Sequence, residues 1–93
     1  MKKKLNKKQF FYFYILLCKD NSLYCGSTKN LQKRELAHNT NKGSAYVRSR
    51  GGGKIIYFEK FDSWSETLKR EALVKKWNRS QKLLLTKFQD KRK

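Results

Sequence analysis

The chain has 93 residues, enough for one compact domain and too few for two, so a single module with a thin core must carry the function. Hydrophobic residues at 38% and aromatics at 14% exclude a disordered chain, although 33% of residues are charged. Lys and Arg number 24 against 7 Asp and Glu, a formal net charge of +17, which points to a polyanionic partner, nucleic acid before membrane. The first nine residues hold five lysines and no acid and read as a basic arm. Residues 89–93 read as a basic tail, leaving 10–88 as the expected domain.

After the arm, FFYFYILLC (Phe10 to Cys18) is an aromatic and aliphatic run of strand length. Period two puts Tyr12, Tyr14 and Leu16 on one face and Phe11, Phe13, Ile15 and Leu17 on the other, both apolar enough to be covered. A basic start before an apolar run also outlines a secretory signal. The density of aromatics and the bulky Leu17 before Cys18, with no small-residue cleavage site, argue against it. The run is also far too short to span a membrane. A cytoplasmic protein is expected, with Cys18 and Cys25 as reduced, packed thiols.

KDNS (Lys19 to Ser22) is turn chemistry, and LYCGS reads as a second strand that pairs back on the first and ends in a structural turn at Gly26. Asn30 is a suitable N-cap for a helix from Leu31 to about Asn39. The stretch TNKGSAYVRSRGGG lacks sustained periodicity and reads as a loop carrying Lys42, Arg48 and Arg50. A third strand follows at KIIYFEKF (Lys54 to Phe61). SWSE (Ser63 to Glu66) fits a capping box and opens a helix to about Trp77, with Trp64, Leu68 and Ala72 as its apolar stripe and Glu71 at the stripe's edge. Arg79 and Ser80 restart the chain into a last short helix at QKLLLTKF. The order β-β-α-β-α-α predicts an α+β fold, a three-stranded antiparallel sheet covered by helices.

The first helix carries an anomaly. Its inward stripe from Leu31 reads Leu31, Arg34, Glu35, His38, placing an arginine and the chain's one histidine where a small protein normally uses leucine. Arg34 and His38 are i, i+4 neighbours and share a face. An acid beside an apolar stripe, as at Glu71, is costly unless paired. With Tyr14 and Tyr24 from adjacent strands, the chain offers two phenols, a cation, an imidazole and a carboxylate, a set suited to phosphodiester hydrolysis with one bound metal. Taken singly, each also fits an ordinary role: strand aromatics, a solvent-bordering helix pair, a surface acid.

As an ordered set, YFYILLC, LYCGSTKNLQKRELAHN, GSAYVRSR, KIIYFEKF and ETLKREALVKKW resemble the GIY-YIG nuclease superfamily, in particular its small stand-alone bacterial branch related to the excinuclease C nuclease domain. The resemblance runs from about Phe11 to Leu85. It implies that the first family triplet is Tyr12, Phe13 and Tyr14 and the second Tyr24, Cys25 and Gly26, that Arg34 is the catalytic arginine with His38 one turn later, and that Glu71 binds the metal. Tyr12 replaces the family's first glycine, Phe13 and Cys25 replace its central isoleucines, and Val47 stands where many relatives have Thr or Ser.

On this basis the chain is expected to be a metal-dependent endonuclease acting on DNA as a monomer, using Mg²⁺ or Mn²⁺ held by Glu71. Tyr14, with Tyr24 close by, is the expected general base, its phenol activated by Arg34 and the metal. Arg34 also neutralises charge on the phosphoryl oxygens, and His38 orients or shuttles a proton. Lys42, Arg48, Arg50 and Lys54 are the expected backbone contacts, from charge and loop position. The competing reading is a non-catalytic basic nucleic-acid-binding module, including a ribosome-associated one.

Overall fold

Strand β1 (Phe11–Cys18) runs down the middle of a three-stranded antiparallel sheet ordered β2-β1-β3, with β2 (Leu23–Thr28) and β3 (Gly53–Phe61) on its flanks. This is the arrangement in a computed structural model that describes residues 8–40 and 42–88. The expected basic tail and all but the last two residues of the expected arm lie outside the described residues. Among the described residues four helices complete the fold: α1 (Leu31–His38), α2 (Ala45–Ser49), α3 (Trp64–Lys75) and α4 (Arg79–Thr86). Among the described residues no helix is long and apolar enough to cross a membrane.

Both faces of β1 are covered, as its two apolar stripes require. Phe13 and Ile15 pack with Cys25, Tyr57 and Val74 of α3, bordered by Trp77 and Leu85. Tyr14, Leu16 and Cys18 pack with Val47 of α2 on the opposite side, bordered by Leu31 of α1. The pairing of β1 with β3 shifts after Ile15, which faces Tyr57 while Leu16 faces Ile55, so Ile56 is an extra residue on β3. This bulge lets Ile56 and Tyr57 both serve the α3 side while Ile55 turns to the α1 side. Cys18 and Cys25 are both buried free thiols.

Local chemistry explains the helix starts. Asn30 caps α1 by accepting from the Lys33 amide at 2.9 Å, and Ser63 caps α3 by accepting from the Glu66 amide at 3.1 Å. A reciprocal capping box forms at α4, where Asn78 and Gln81 exchange side-chain bonds, each 2.9 Å long. The segment read as a loop contains the short helix α2, capped by the Ser44 hydroxyl and anchored by fully buried Val47. Five residues are too few to show helical periodicity, so its signal in the sequence is the cap alone.

Two expectations are corrected. Helix α3 does not bury Trp64, Leu68 and Ala72: Trp64, whose ring meets Phe11 at the start of β1, and Leu68 are 39% and 42% exposed, and Thr67 and Val74 are the buried positions. The inward stripe is Thr67, Glu71, Val74, so Glu71 lies in the middle of it. Gly26 does not turn the chain; it sits inside β2 directly opposite Tyr14. On the α3 side Arg70 forms a two-pronged ion pair with Glu59 at 2.8 and 2.9 Å, and the Tyr57 hydroxyl donates to the same carboxylate, tying α3 to β3.

Candidate active site

The Tyr14 hydroxyl is the meeting point of the first helix and the hairpin. Arg34 Nε donates to it at 3.3 Å, and His38 Nε2 lies 2.9 Å away. The i, i+4 spacing on α1 sets both partners over one phenol. Tyr14 and His38 are buried, whereas Tyr24 and Arg34 are half-buried. The Tyr24 ring lies edge-on to His38 with centroids 5.4 Å apart and is 6.4 Å from the Tyr14 ring. On its other side it meets Tyr46 at 5.7 Å. Four of the expected site residues are thus brought together by β1, β2 and α1.

Glycine makes this geometry possible. A Cβ at Gly26 would stand 2.5 Å from the Tyr14 hydroxyl and 2.7 Å from its Cζ, so the phenol leans across β2 over a residue with no side chain. A Cβ at Gly43 would likewise stand 2.5 Å from His38 Nδ1.

Burial decides the protonation states. Loss of water raises the Tyr14 pKa to about 12 against the opposing pull of the Arg34 guanidinium. Arg34 pulls in the expected direction and offsets burial only in part. Burial also lowers the His38 pKa, with repulsion from Arg34 adding to it. At neutral pH Tyr14 holds its proton and His38 is neutral. Either tautomer of the neutral imidazole can hold this contact, Nε2 donating to the phenol oxygen or accepting from its O–H.

Glu71 belongs to the other face of the sheet, and β2 joins the two halves. Consecutive strand residues point to opposite sides. Gly26 lies beneath the Tyr14 hydroxyl, while the next residue, Ser27, donates its hydroxyl to Glu71 Oε1 at 2.6 Å. The second oxygen, Oε2, pairs with Lys75 Nζ at 2.8 Å, one turn along α3. Because β2 is an edge strand, chemistry on its two sides can meet around it. A groove of about 500 Å³ lies there, lined by Ser27, Thr28, Lys29, Lys33, Arg34 and Trp64 among others.

The donor set fits a hard divalent cation held largely by water and phosphate. Among the described residues no group of three or more His, Cys, Asp or Glu could enclose a metal, which disfavours a closed structural site. A single carboxylate is enough for magnesium when the substrate supplies further oxygens. Glu71 keeps lone pairs beyond those used by Ser27 and Lys75.

The four expected phosphate contacts differ in how free they are. Lys42, Arg48 and Lys54 are exposed. Arg50 is engaged in the fold: its guanidinium stacks 3.9 Å over the Tyr46 ring and its Nε lies 3.5 Å from Asp20 Oδ2. Val47 is a core residue, so a hydroxyl at that position would be buried.

Three polar residues of this region escaped the reading of the sequence. Ser27 and Lys75 hold Glu71, and Lys75 was legible as its i, i+4 neighbour. Glu35, on the anomalous stripe of α1, accepts the Ile55 amide at 2.7 Å and so docks the helix on β3.

The model of the GIY-YIG catalytic domain matches residues 10–84. A UPF0213 protein of Clostridium perfringens is 53% identical over 74 residues, covering 80% of each chain. One from Syntrophus aciditrophicus is 48% identical over 77 residues, covering 82% of this chain and 88% of the relative. The solution NMR structure of a UPF0213 protein from Bacillus halodurans aligns with a TM-score of 0.56 at 34% identity, over 89% of this chain and 88% of that one. That of a protein from E. faecalis aligns over the same shares with a TM-score of 0.59 at 40% identity. With the match running through both strands of the hairpin, α1 and α3, the chain belongs to the GIY-YIG catalytic domain family.

Proposed function

We propose that this protein is a metal-dependent endonuclease that hydrolyses phosphodiester bonds in DNA, with Tyr14 as general base, Arg34 as transition-state stabiliser and Glu71 as metal ligand. The observation that carries this reading is the Tyr14 hydroxyl held between Arg34 Nε and His38 Nε2, above the glycine that precedes the serine bound to Glu71. A merely structural tyrosine has no use for two such partners at once.

The residues divide the work as follows. The Tyr14 proton leaves to solvent by way of His38 Nε2, and Arg34 stabilises the resulting phenolate. Tyr14 then removes a proton from the attacking water, with Tyr24 at the half-buried front of the site. The Arg34 guanidinium faces the charge that builds on the phosphoryl oxygens. When bound at Glu71, a divalent cation supplies Lewis acidity toward a phosphate oxygen. Lys42, Arg48 and Lys54 attract the backbone from exposed positions, with Arg50 a secondary contact because Tyr46 and Asp20 already hold it. The fold works as a monomer in this reading, in the cytoplasm.

The test is cleavage of labelled DNA in Mg²⁺, in Mn²⁺ and in EDTA, by wild type and by Glu71→Gln. Wild type is expected to cut with either metal and not in EDTA, and Glu71→Gln to bind DNA without cutting it. Binding without cleavage by wild type under all conditions would replace the enzyme with the non-catalytic binder. Equal cleavage by the two proteins in Mg²⁺ would place the metal elsewhere.

A further inference from the structure

Both oxygens of Glu71 are occupied, and the two partners differ in kind. Ser27 is neutral and fixed in β2, so its hydroxyl can stay on Oε1 while the carboxylate takes another ligand. Lys75 brings a full positive charge to Oε2 on a flexible stem whose side chain is 53% exposed. An ammonium at 2.8 Å from Oε2 and a divalent cation on the same oxygen repel each other strongly. A half-buried carboxylate in the middle of the inward stripe of α3 also needs a counter-charge whenever no metal is present.

We infer that Lys75 is an exchangeable counter-ion of the metal site: it satisfies Glu71 Oε2 in the metal-free protein, yields that oxygen to the arriving divalent cation, and thereby sets the affinity of the site. The inference rests on the reading of Glu71 as the metal ligand. Lys75 is a positioning residue here, acting on the cation through Glu71. Cation uptake becomes an exchange of one positive partner for another. The acid on α3 is never left unpaired, and a metal competes with a tethered rival.

Mn²⁺ binding, followed by loss of the free-ion electron paramagnetic resonance signal, tests this without any readout of activity. Wild type is compared with Lys75→Met, with Lys76→Met as the exposed neighbour that removes the same net charge, with Glu71→Gln and with Glu71→Gln/Lys75→Met. Lys75→Met is expected to bind Mn²⁺ about five- to tenfold more tightly than wild type, the combined scale of a half-exposed ion pair and a removed repulsion. Lys76→Met should stay within about twofold, since screening by salt blunts a more distant charge. Both proteins lacking Glu71 should lose the site. If Lys75→Met does not fold, Lys75→Gln is read by the same criteria. No tightening beyond that of Lys76→Met, with Glu71 still required, overturns the role of Lys75 alone. Undiminished Mn²⁺ binding by Glu71→Gln overturns the metal assignment and this inference with it.

Discussion

Gly26 and Tyr14 face each other across β2 and β1, and a Cβ added at Gly26 would lie 2.5 Å from the Tyr14 hydroxyl oxygen. Real structures do not hold such a contact, so Gly26→Ala must move the phenol. The displaced hydroxyl loses its alignment with Arg34 and His38. We expect cleavage to fall about a hundredfold, the scale of a 1 Å misplacement at a reacting group. Stability should fall by about 1–3 kcal/mol, typical of overpacking. Single-turnover cleavage and urea unfolding of the same variant check both numbers. Undiminished cleavage would show that the phenol need not stand where Gly26 lets it stand.

Arg34→Ala should lower the cleavage rate by about two orders of magnitude, as expected for losing a donor aimed at developing charge. DNA affinity should change by no more than a few-fold, because one half-buried arginine is a small part of a highly basic surface. Binding measured in EDTA and cleavage in Mg²⁺ separate the two effects. Parallel losses would make Arg34 a phosphate anchor.

The buried pair predicts two pH effects. His38 titrates below its ordinary value in the folded protein, while the unfolded chain takes up that proton near pH 6.5. Its contribution to stability is therefore complete above about pH 6.5 and is lost as pH falls toward the folded pKa, at up to about 1.4 kcal/mol per pH unit. Urea midpoints from pH 7 to 5 should drop less in His38→Gln than in wild type. Cleavage should move the other way with its own group. A phenol with a pKa raised to about 12 releases its proton more readily at each step up in pH, so single-turnover rates should climb from pH 6 to 9. A flat profile there would remove Tyr14 as the base.

Salt should weaken DNA binding steeply, since phosphate contacts release counterions. Arg48→Ala and Lys54→Ala should each lower the slope of log affinity against log salt by about one. Arg50→Ala should differ from them by also reducing thermal stability, because Arg50 stacks on Tyr46 and faces Asp20. Removing residues 1–9 should weaken binding and leave the fold intact, as circular dichroism can verify. Affinity that ignores salt would contradict a backbone-binding surface.

The strands, the caps at Asn30 and Ser63 and the cluster on α1 were legible because each depends on residues close in sequence, through period two, an N-cap or i, i+4 spacing. What escaped depends on contacts that no local pattern encodes. Ser27 and Glu71 are 44 positions apart. The face that α3 turns inward is set by Thr67 and Val74 rather than its larger apolar residues: Trp64, in the first turn, meets Phe11 at the start of β1 with ring centroids 5.6 Å apart and stays 39% exposed. A hydrophobicity count gives the bulkier residues the inside and misses a threonine whose hydroxyl bonds the Ser63 carbonyl. Gly26 was visible as a glycine, but its reason lies on the opposite strand.

Strand order sets the order in which the site comes apart. Tyr14 sits on β1, the strand hydrogen-bonded on both sides, whereas Ser27 is on a flank and Glu71 and Lys75 are on an overlying helix. Amides of a central strand exchange with solvent through the largest openings of a protein, and those of outer elements through smaller ones. Deuterium uptake should therefore be slowest along Phe13–Leu16, and α3 should loosen before β1 does. The chemistry then fails in stages: a denaturant that frees α3 first takes the carboxylate from a phenol still in place, so activity vanishes before the sheet melts.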